Sequence, residues 1–141
     1  MKIKQLSVFL ENKAGKLCEI TKSLAVEEIN LLALNIAETS DYGVLRIITD
    51  NTEKTEKILK KNGFIVSITE VIAVAVNHKP GALNSVLEIA EKNNINIEYM
   101  YSAYAGKNGC TYMVFKVKNI DGFISVIREC GFRVLNQEDL Y

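Results

Sequence analysis

The sequence contains little of what marks several common protein classes. Its 141 residues include no tryptophan, one proline and one histidine, and the 17 basic side chains equal the 17 acidic ones in number. Nucleic-acid-binding proteins usually carry a basic surplus that neutralises phosphates, so zero net charge argues against such a partner. No apolar run reaches the roughly 18 residues that span a bilayer, so no membrane partner is expected.

Cysteine is also scarce, and its placement disfavours a metal site. Cys18, Cys110 and Cys130 form no CxxC pair, and His78 is the single histidine. We interpret the cysteines as small apolar residues in a reducing compartment, and we expect neither a metal nor a cofactor. Residues 1–6 alternate like a strand and lack the apolar block of a signal peptide, which makes the cytoplasm the expected location.

What the sequence does contain is an internal repeat, and a repeat decides the architecture. Gly15 matches Gly81, which sets an offset of 66 residues between two copies. Other pairs share that offset: Val8 with Val74, Lys13 with Lys79, Leu17 with Leu83, Ile20 with Val86, Ile29 with Ile95 and Asn30 with Asn96. Later, Gly63 matches Gly131 at an offset of 68, so the second copy has gained two residues. The turn 105–109, rich in Gly and Asn, is the expected place for them.

Each copy has the pattern strand, helix, strand, strand, helix, strand. In the first copy, alternation and helical spacing predict these elements at 4–10, 17–24, 29–38, 44–49, 52–61 and 64–71. The second helix should be capped by Asp50 or Asn51 and should end at Gly63. The order βαββαβ is typical of a ferredoxin-like sandwich.

The second copy repeats this order without a linker. Its first strand is expected at 73–76, its first helix starts at Pro80, and the strand-like stretch 64–76 runs almost continuously between the copies. We therefore predict domains at 1–71 and 72–141. Because a copy of about 70 residues buries a thin core, we expect an α+β protein in which two tandem ferredoxin-like βαββαβ sandwiches pack as a pseudo-dimer.

The strand 29–38 is apolar on both faces, whereas a sheet with helices on one face only should alternate apolar and polar residues. One face carries Leu31 and Ala33, and the other carries Leu32, Leu34 and Ile36. We predict that the second face packs against another sheet, either in the other copy or in a second subunit. A homodimer is one form of that prediction.

The loop that enters the first helix of each copy is the most informative segment for function. The two loops read ENKAGKL at 11–17 and NHKPGAL at 77–83. Their glycine removes a Cβ, so a ligand can approach backbone N–H groups at a helix N-terminus, where unpaired donors and the macrodipole favour a carboxylate. Asn30 and Asn96 begin the second strand of each copy, at a plausible distance from such a ligand.

These residues resemble those of the ACT domain over nearly the whole chain. The shared features are a polar or acidic residue, Asn, Lys or Arg, Pro and Gly before an apolar helix, then a strand that begins with Asn-Ile or Asn-Leu. The resemblance implies an allosteric regulatory protein that binds a free amino acid or a related metabolite between adjacent domains. It also implies a protein partner, such as a biosynthetic enzyme or another regulated protein.

Carried over by position, the resemblance implies two pseudo-symmetric ligand sites. One site would combine Asn12, Lys13, Ala14, Gly15, Lys16 and Leu17 with Asn96 and Ile97. The other would combine His78, Lys79, Pro80, Gly81, Ala82 and Leu83 with Asn30 and Leu31. Loop N–H groups would hold the carboxylate, and the asparagine oxygens would accept from the ammonium. Ala14 stands where the motif often has Pro, and His78 replaces the Asn found at Asn12, so the sites need not be equivalent.

The same residues also have simpler structural interpretations. The loop glycines can serve only the strand-to-helix turn, and Asn30 and Asn96 can be left-handed residues after a helix. His78 can be an exposed loop residue without a ligand. Four tyrosines of the second copy can pack at an interface or line a pocket: Tyr99, Tyr101, Tyr104 and Tyr112.

Two other functions compete with the amino-acid sensor. One is an enzyme, but the sequence offers no nucleophile beside a base, no carboxylate pair at a useful spacing and no phosphate-binding glycine loop, so no catalytic residue is predicted. The other is a structural or regulatory subunit of an amino-acid biosynthetic enzyme without a ligand of its own. That alternative predicts a protein partner and no response to small molecules.

Overall fold

The predicted order of elements appears twice in a computed structural model, which describes residues 1–104, 106 and 108–141. The strands are β1 (Ile3–Glu11), β2 (Leu31–Glu38), β3 (Tyr42–Thr49), β4 (Ile65–Asn77), β5 (Ile97–Ser102), β6 (Cys110–Val117) and β7 (Arg133–Val134). The helices are α1 (Lys16–Val26), α2 (Thr52–Lys61), α3 (Ala82–Lys92) and α4 (Ile120–Glu129), and a 3₁₀ turn follows at Gln137–Leu140.

The chain divides into two compact units of the same topology. The first unit is Lys4–Thr69, and the second is Met1–Ile3 together with Glu70–Tyr141. The strand order is β2–β3–β1–β4 in the first unit and β5–β6–β4–β7 in the second. Antiparallel pairing joins β1 with β3, β2 with β3, β4 with β6 and β5 with β6. Each order is that of a ferredoxin-like βαββαβ sheet, so the predicted fold is confirmed.

One long strand serves both units. β4 continues from Ile65 to Asn77, and the division between the units falls inside it, between Thr69 and Glu70. The same strand therefore ends one βαββαβ pattern and begins the next. The predicted absence of a linker is confirmed.

The core of the first unit lies between its sheet and its two helices. Leu6, Val8 and Leu10 alternate along β1 and share this core with Ile20 and Leu24 of α1. The spacing of two along the strand and of four along the helix places each set on one face, as the sequence pattern predicts. The second unit has an equivalent core, built on β4, β6, α3 and α4.

An asparagine caps the second helix of each unit. The Asn51 side chain accepts from the N–H of Lys54 at 3.0 Å, and the Asn119 side chain accepts from the N–H of Gly122 at 2.9 Å. These caps lie at the offset of 68 seen in the sequence. Of the two residues proposed to cap α2, Asn51 is therefore the cap.

The two cores differ in chemistry at matching positions. Phe123 of α4 packs edge to face against Phe115, with ring centroids 5.8 Å apart. The matching residue of α2 is Thr55, which is fully buried and whose hydroxyl lies 2.9 Å from the hydroxyl of Thr49. Because Thr55 also donates to the carbonyl of Asn51 at 2.7 Å, Thr49 is the donor of the pair.

β2 departs from simple alternation. A bulge between Leu31 and Ala33 shifts its register against β3, so that Leu31 and Leu34 both pack on the core of the first unit. Leu32 and Ala33 are also buried, whereas Ile36 is 39% exposed. Burial on both faces is thus confined to the first half of β2, and the sheet expected to cover the second face stays a prediction.

Two sequence expectations need a correction or a limit. α3 begins at Ala82 with Gly81 as its N-cap, so the prediction that the helix starts at Pro80 is wrong by two residues. Pro80 instead lies in the turn before the helix. The turn 105–109 is only partly described, because Ala105 and Lys107 lie outside the described residues. Among the described residues, no helix is long and apolar enough to cross a membrane.

Candidate functional site: the two helix-entry loops

The two helix-entry loops are tied to their units by the same backbone hydrogen bond. The N–H of Asn12 donates to the carbonyl of Asp41 at 3.0 Å, and the N–H of His78 donates to the carbonyl of Gly109 at 2.9 Å. The donors are 66 residues apart and the acceptors 68. This change of offset agrees with an insertion that precedes Gly109 in the turn between the middle strands.

Glycine is required in both loops by its backbone angle. Gly15 and Gly81 are the N-cap residues of α1 and α3, with φ of +89° and +83°. A Cβ added to either would meet no described atom within 4 Å, so φ, rather than a lack of space, accounts for glycine. Residues 12–15 and 78–81 are all exposed, but the N–H groups of Asn12, Lys13, His78 and Lys79 already donate to backbone carbonyls, and Pro80 has no N–H. Within these two stretches, the N–H groups of Ala14, Gly15 and Gly81 are the ones left for a ligand.

The charges of the first loop are already balanced. Lys13 forms an ion pair with Glu11 at 2.8 Å, and Lys16 forms one with Glu19 at 3.4 Å. The hydrogen bond from Lys13, more than its charge, lowers the pKa of Glu11, and the same contact raises the pKa of Lys13. The Asn12 amide is also engaged, because it donates to the Glu38 carboxylate and to a nearby carbonyl, both at 3.4 Å.

The second loop has the same backbone but no carboxylate. Asn77 stands at the position of Glu11, and Ser85 stands at that of Glu19. Lys79 forms no salt bridge with any residue that the structure describes, so its positive charge is available to an anion. His78 contacts Thr111 of β6 through its Nδ1, 3.4 Å from the threonine Oγ1.

An open cavity of about 390 Å³ lies beside the second loop. Its walls include His78, Lys79, Pro80, Leu83, Thr111 and Met113. The first four of these belong to the predicted loop, and the cavity brings them together with two residues of β6 that sequence reasoning did not select. The offset of 68 could have drawn attention to Thr111, because it replaces Gly43 of the first unit.

Each predicted asparagine lies at the far end of its own unit from the loop. Asn30 exchanges hydrogen bonds with Asp50, its N–H donating to the carboxylate and its carbonyl accepting from the N–H. The loop residue Asn12 is bonded to Asp41, at the other end of β3. Nine extended residues span roughly 30 Å, so no single unit brings Asn30 and its own loop together.

The same holds in the second unit. His78 is bonded to Gly109 just before β6, whereas Ile97, next to Asn96, pairs with Val117 at the end of β6. Eight extended residues separate these ends by roughly 25 Å. Neither unit by itself therefore brings its loop and its asparagine into one site.

The interpretation of the asparagines as left-handed residues is wrong. The positive φ angles after α1 and α3 belong to Glu28 (56°) and Asn94 (52°), two residues earlier in each copy. Asn30 and Asn96 are both exposed. Their side chains are thus accessible at the start of the second strand.

One tyrosine and two cysteines border a different cavity, of about 330 Å³, whose lining includes Tyr112, Cys110 and Cys130. Tyr101 and Tyr112 are buried, whereas Tyr104 is 64% exposed. Cys18 and Cys130 are exposed free thiols. In the described part of the chain, no group of three or more His, Cys, Asp or Glu side chains could hold a metal ion.

Comparison with known proteins gives matches that extend over the whole chain. The family described as the ACT domain pair matches residues 1–141. The crystal structure of protein BT0572 from Bacteroides thetaiotaomicron is 45% identical, with a TM-score of 0.93 over 100% of this chain and 96% of that one. No curated protein sequence matches the chain.

More distant structures share the fold alone. The ligand-free regulatory subunit of aspartate kinase from Thermus thermophilus has a TM-score of 0.66 at 11% identity, over 91% of this chain and 92% of that one. Aspartokinase III from E. coli, in complex with lysine and aspartate, has a TM-score of 0.55 at 16% identity, over 91% of this chain and 31% of that one.

The match and the fold agree on what kind of module this is. ACT domains are regulatory, non-catalytic modules, and pairs of them are typical of amino-acid-binding regulatory domains. With the family matching all 141 residues and the ferredoxin-like pattern present twice, the chain belongs to the family of ACT domain pairs.

Proposed function

We propose that this protein is a non-catalytic regulatory protein that binds a free amino acid, with the loop 78–83 receiving the carboxylate of the ligand. The observation that carries this proposal is the second loop itself, where Lys79 has no salt bridge within the described residues and lies beside an open cavity. The N–H of Gly81, the exposed N-cap residue of α3, adds a donor for the same anion. The N–H groups of Lys79 and Ala82 already donate to backbone carbonyls.

The asparagines are proposed to complete the sites from the other unit. Since a loop and the asparagine of the same unit lie at opposite ends of a strand, one unit alone does not supply both to a ligand. We pair loop 78–83 with Asn30 and Leu31. The matching pair in the repeat, loop 12–17 with Asn96 and Ile97, is the weaker candidate, because Lys13 and Lys16 already form ion pairs. The asparagine oxygens accept from the ligand ammonium in this arrangement.

The related structures suggest which kind of protein this chain regulates. Two of them are a regulatory subunit of aspartate kinase and an aspartokinase crystallised with lysine and aspartate. By analogy we propose a biosynthetic enzyme or another regulated protein as the partner, and a homodimer as the assembly. Lysine and aspartate are among the amino acids to test.

Isothermal titration of the full chain against the twenty amino acids tests the proposal. We expect at least one to bind with a Kd below about 1 mM. The variant Lys79→Gln should weaken that binding about tenfold, because it removes a charge-assisted contact worth about 1.4 kcal/mol.

The matched variant Lys13→Gln is the control. Lys13 lies in the other loop and is already paired with Glu11, so its loss should change the affinity of the site at loop 78–83 less than twofold. If none of the twenty amino acids binds below about 1 mM, the sensor proposal fails. A regulatory subunit without a ligand of its own then becomes the better explanation.

A further inference from the structure

We infer that only the second loop holds a ligand and that this ligand is an amino acid with an uncharged, apolar side chain. This inference rests on the proposed function, which it deepens by naming the ligand class and the number of sites. It is carried by the cavity beside the second loop and by the matching positions of the first unit.

The lining of the cavity favours an apolar side chain. Leu83 and Met113 are half-buried in its walls, and Pro80 contributes a further apolar surface. Covering these residues with an apolar ligand group removes apolar surface from water, which is favourable. Burying a charged group there without a partner is unfavourable.

The charge of the lining also favours an uncharged ligand side chain. Lys79 is the one Lys, Arg, Asp or Glu among the residues described as lining this cavity. A ligand with an ammonium side chain would lie near that lysine with no carboxylate from the lining to pair with it. A second carboxylate would have to share Lys79 with the α-carboxylate of the ligand.

The first unit does not reproduce this environment. Leu45 stands at the position of Met113 and is fully buried, and Gly43 stands at the position of Thr111. Glu11 stands at the position of Asn77, which lines the cavity, and its carboxylate pairs with Lys13, which matches Lys79. The matching lysine is thus already paired and a carboxylate stands beside it, which disfavours a ligand carboxylate there, so we expect one ligand per chain.

Titration calorimetry with four probes tests the inference on the full chain: leucine, methionine, lysine and aspartate. We expect leucine or methionine to bind at one molecule per chain, at least tenfold more tightly than lysine and aspartate. Tighter binding of lysine or aspartate, or two molecules per chain, overturns the inference and leaves the proposed function standing. If none of the twenty amino acids binds, the proposed function fails first, and this inference fails with it.

Variants of Met113 test whether the cavity selects the side chain. Met113→Glu should weaken leucine or methionine binding at least tenfold and improve lysine binding, whereas the uncharged Met113→Gln should not improve it. Equal effects of both variants on all four probes would show that Met113 does not face the ligand, and would overturn the assignment of this cavity. Circular dichroism checks that both variants fold, and the wild-type titrations decide the ligand class without them.

Discussion

The first and second helix-entry loops share a backbone and differ in charge. Both are anchored by the same hydrogen bond to the turn between the middle strands, and both end in a glycine with φ near +85°. In the first loop, Glu11 and Glu19 neutralise the two lysines, whereas the second loop has Asn77 and Ser85 at those positions. The repeat therefore preserved the geometry of a candidate site while changing what the site can attract.

The two cores also share a fold and differ in the chemistry of their buried side chains. Phe123 in the second unit is matched by Thr55 in the first, and Val117 is matched by Thr49. One unit fills the space with an aromatic pair, and the other fills it with a buried hydrogen bond. One fold thus accepts two chemical solutions at the same place, provided that the buried hydroxyls are paired.

The largest expected effect comes from removing the aromatic pair in the core of the second unit. Phe123→Ala should lower the free energy of unfolding by about 3–5 kcal/mol, because it deletes a fully buried ring and leaves a cavity. Urea denaturation followed by circular dichroism measures the loss. Hydrogen exchange should show faster exchange in the second unit than in the first.

The matched change in the first unit is Thr55→Val. It keeps the volume but removes two hydrogen bonds, one accepted from Thr49 and one donated to the Asn51 carbonyl, so the loss should be about 2 kcal/mol. If this variant costs as much as Phe123→Ala, the two positions are equivalent in energy and the contrast between the cores is wrong.

The loop glycines test whether the two loops share strain. Gly15→Ala and Gly81→Ala should each destabilise the protein by about 1–2 kcal/mol, because each forces an alanine into the left-handed region. The added methyl meets no described atom within 4 Å, so strain is the whole cost. Thermal and urea denaturation of the two variants measure it. Clearly unequal costs would contradict the shared backbone geometry.

The smallest effect concerns the neutralised first loop. The Lys13 contact lowers the pKa of Glu11, so the pairing stabilises the fold above the ordinary Glu pKa and is lost as the pH falls through the lowered value. In a carbon-13 NMR titration, Lys13→Gln should return the pKa of Glu11 towards its ordinary value. Lys16→Gln should shift it less, because Lys16 is the weakest of the causes that lower it. A Glu11 pKa unmoved by Lys13→Gln would show that the pair does not form in solution.

Sequence patterns predicted the local features well where a short stretch of chain determines them. The Asn51 cap, the helix 52–61 and the continuous β4 depend on residues within a few positions of each other. The start of α3 was misplaced because Pro80 is suited both to a first helical turn and to the turn before it. Only the backbone angle of Gly81 decides between the two.

The site could be predicted only in part. The sequence identified the loop residues, including Lys79, from their order and their repeat. It could not place Thr111 or Met113 beside them, because these residues are about thirty positions away and meet the loop only through the pairing of β4 with β6.

By itself, the sequence determined that the chain holds two copies of one βαββαβ pattern, since repeats and hydrophobic periods are local properties. The tertiary structure decided that a loop and its own asparagine lie at opposite ends of a unit, and that the second loop borders a cavity without carboxylates. Both facts depend on strand pairing across long stretches of chain, which no local pattern specifies. The difference between the two loops thus acquires a functional meaning only once the fold has shown what surrounds each of them.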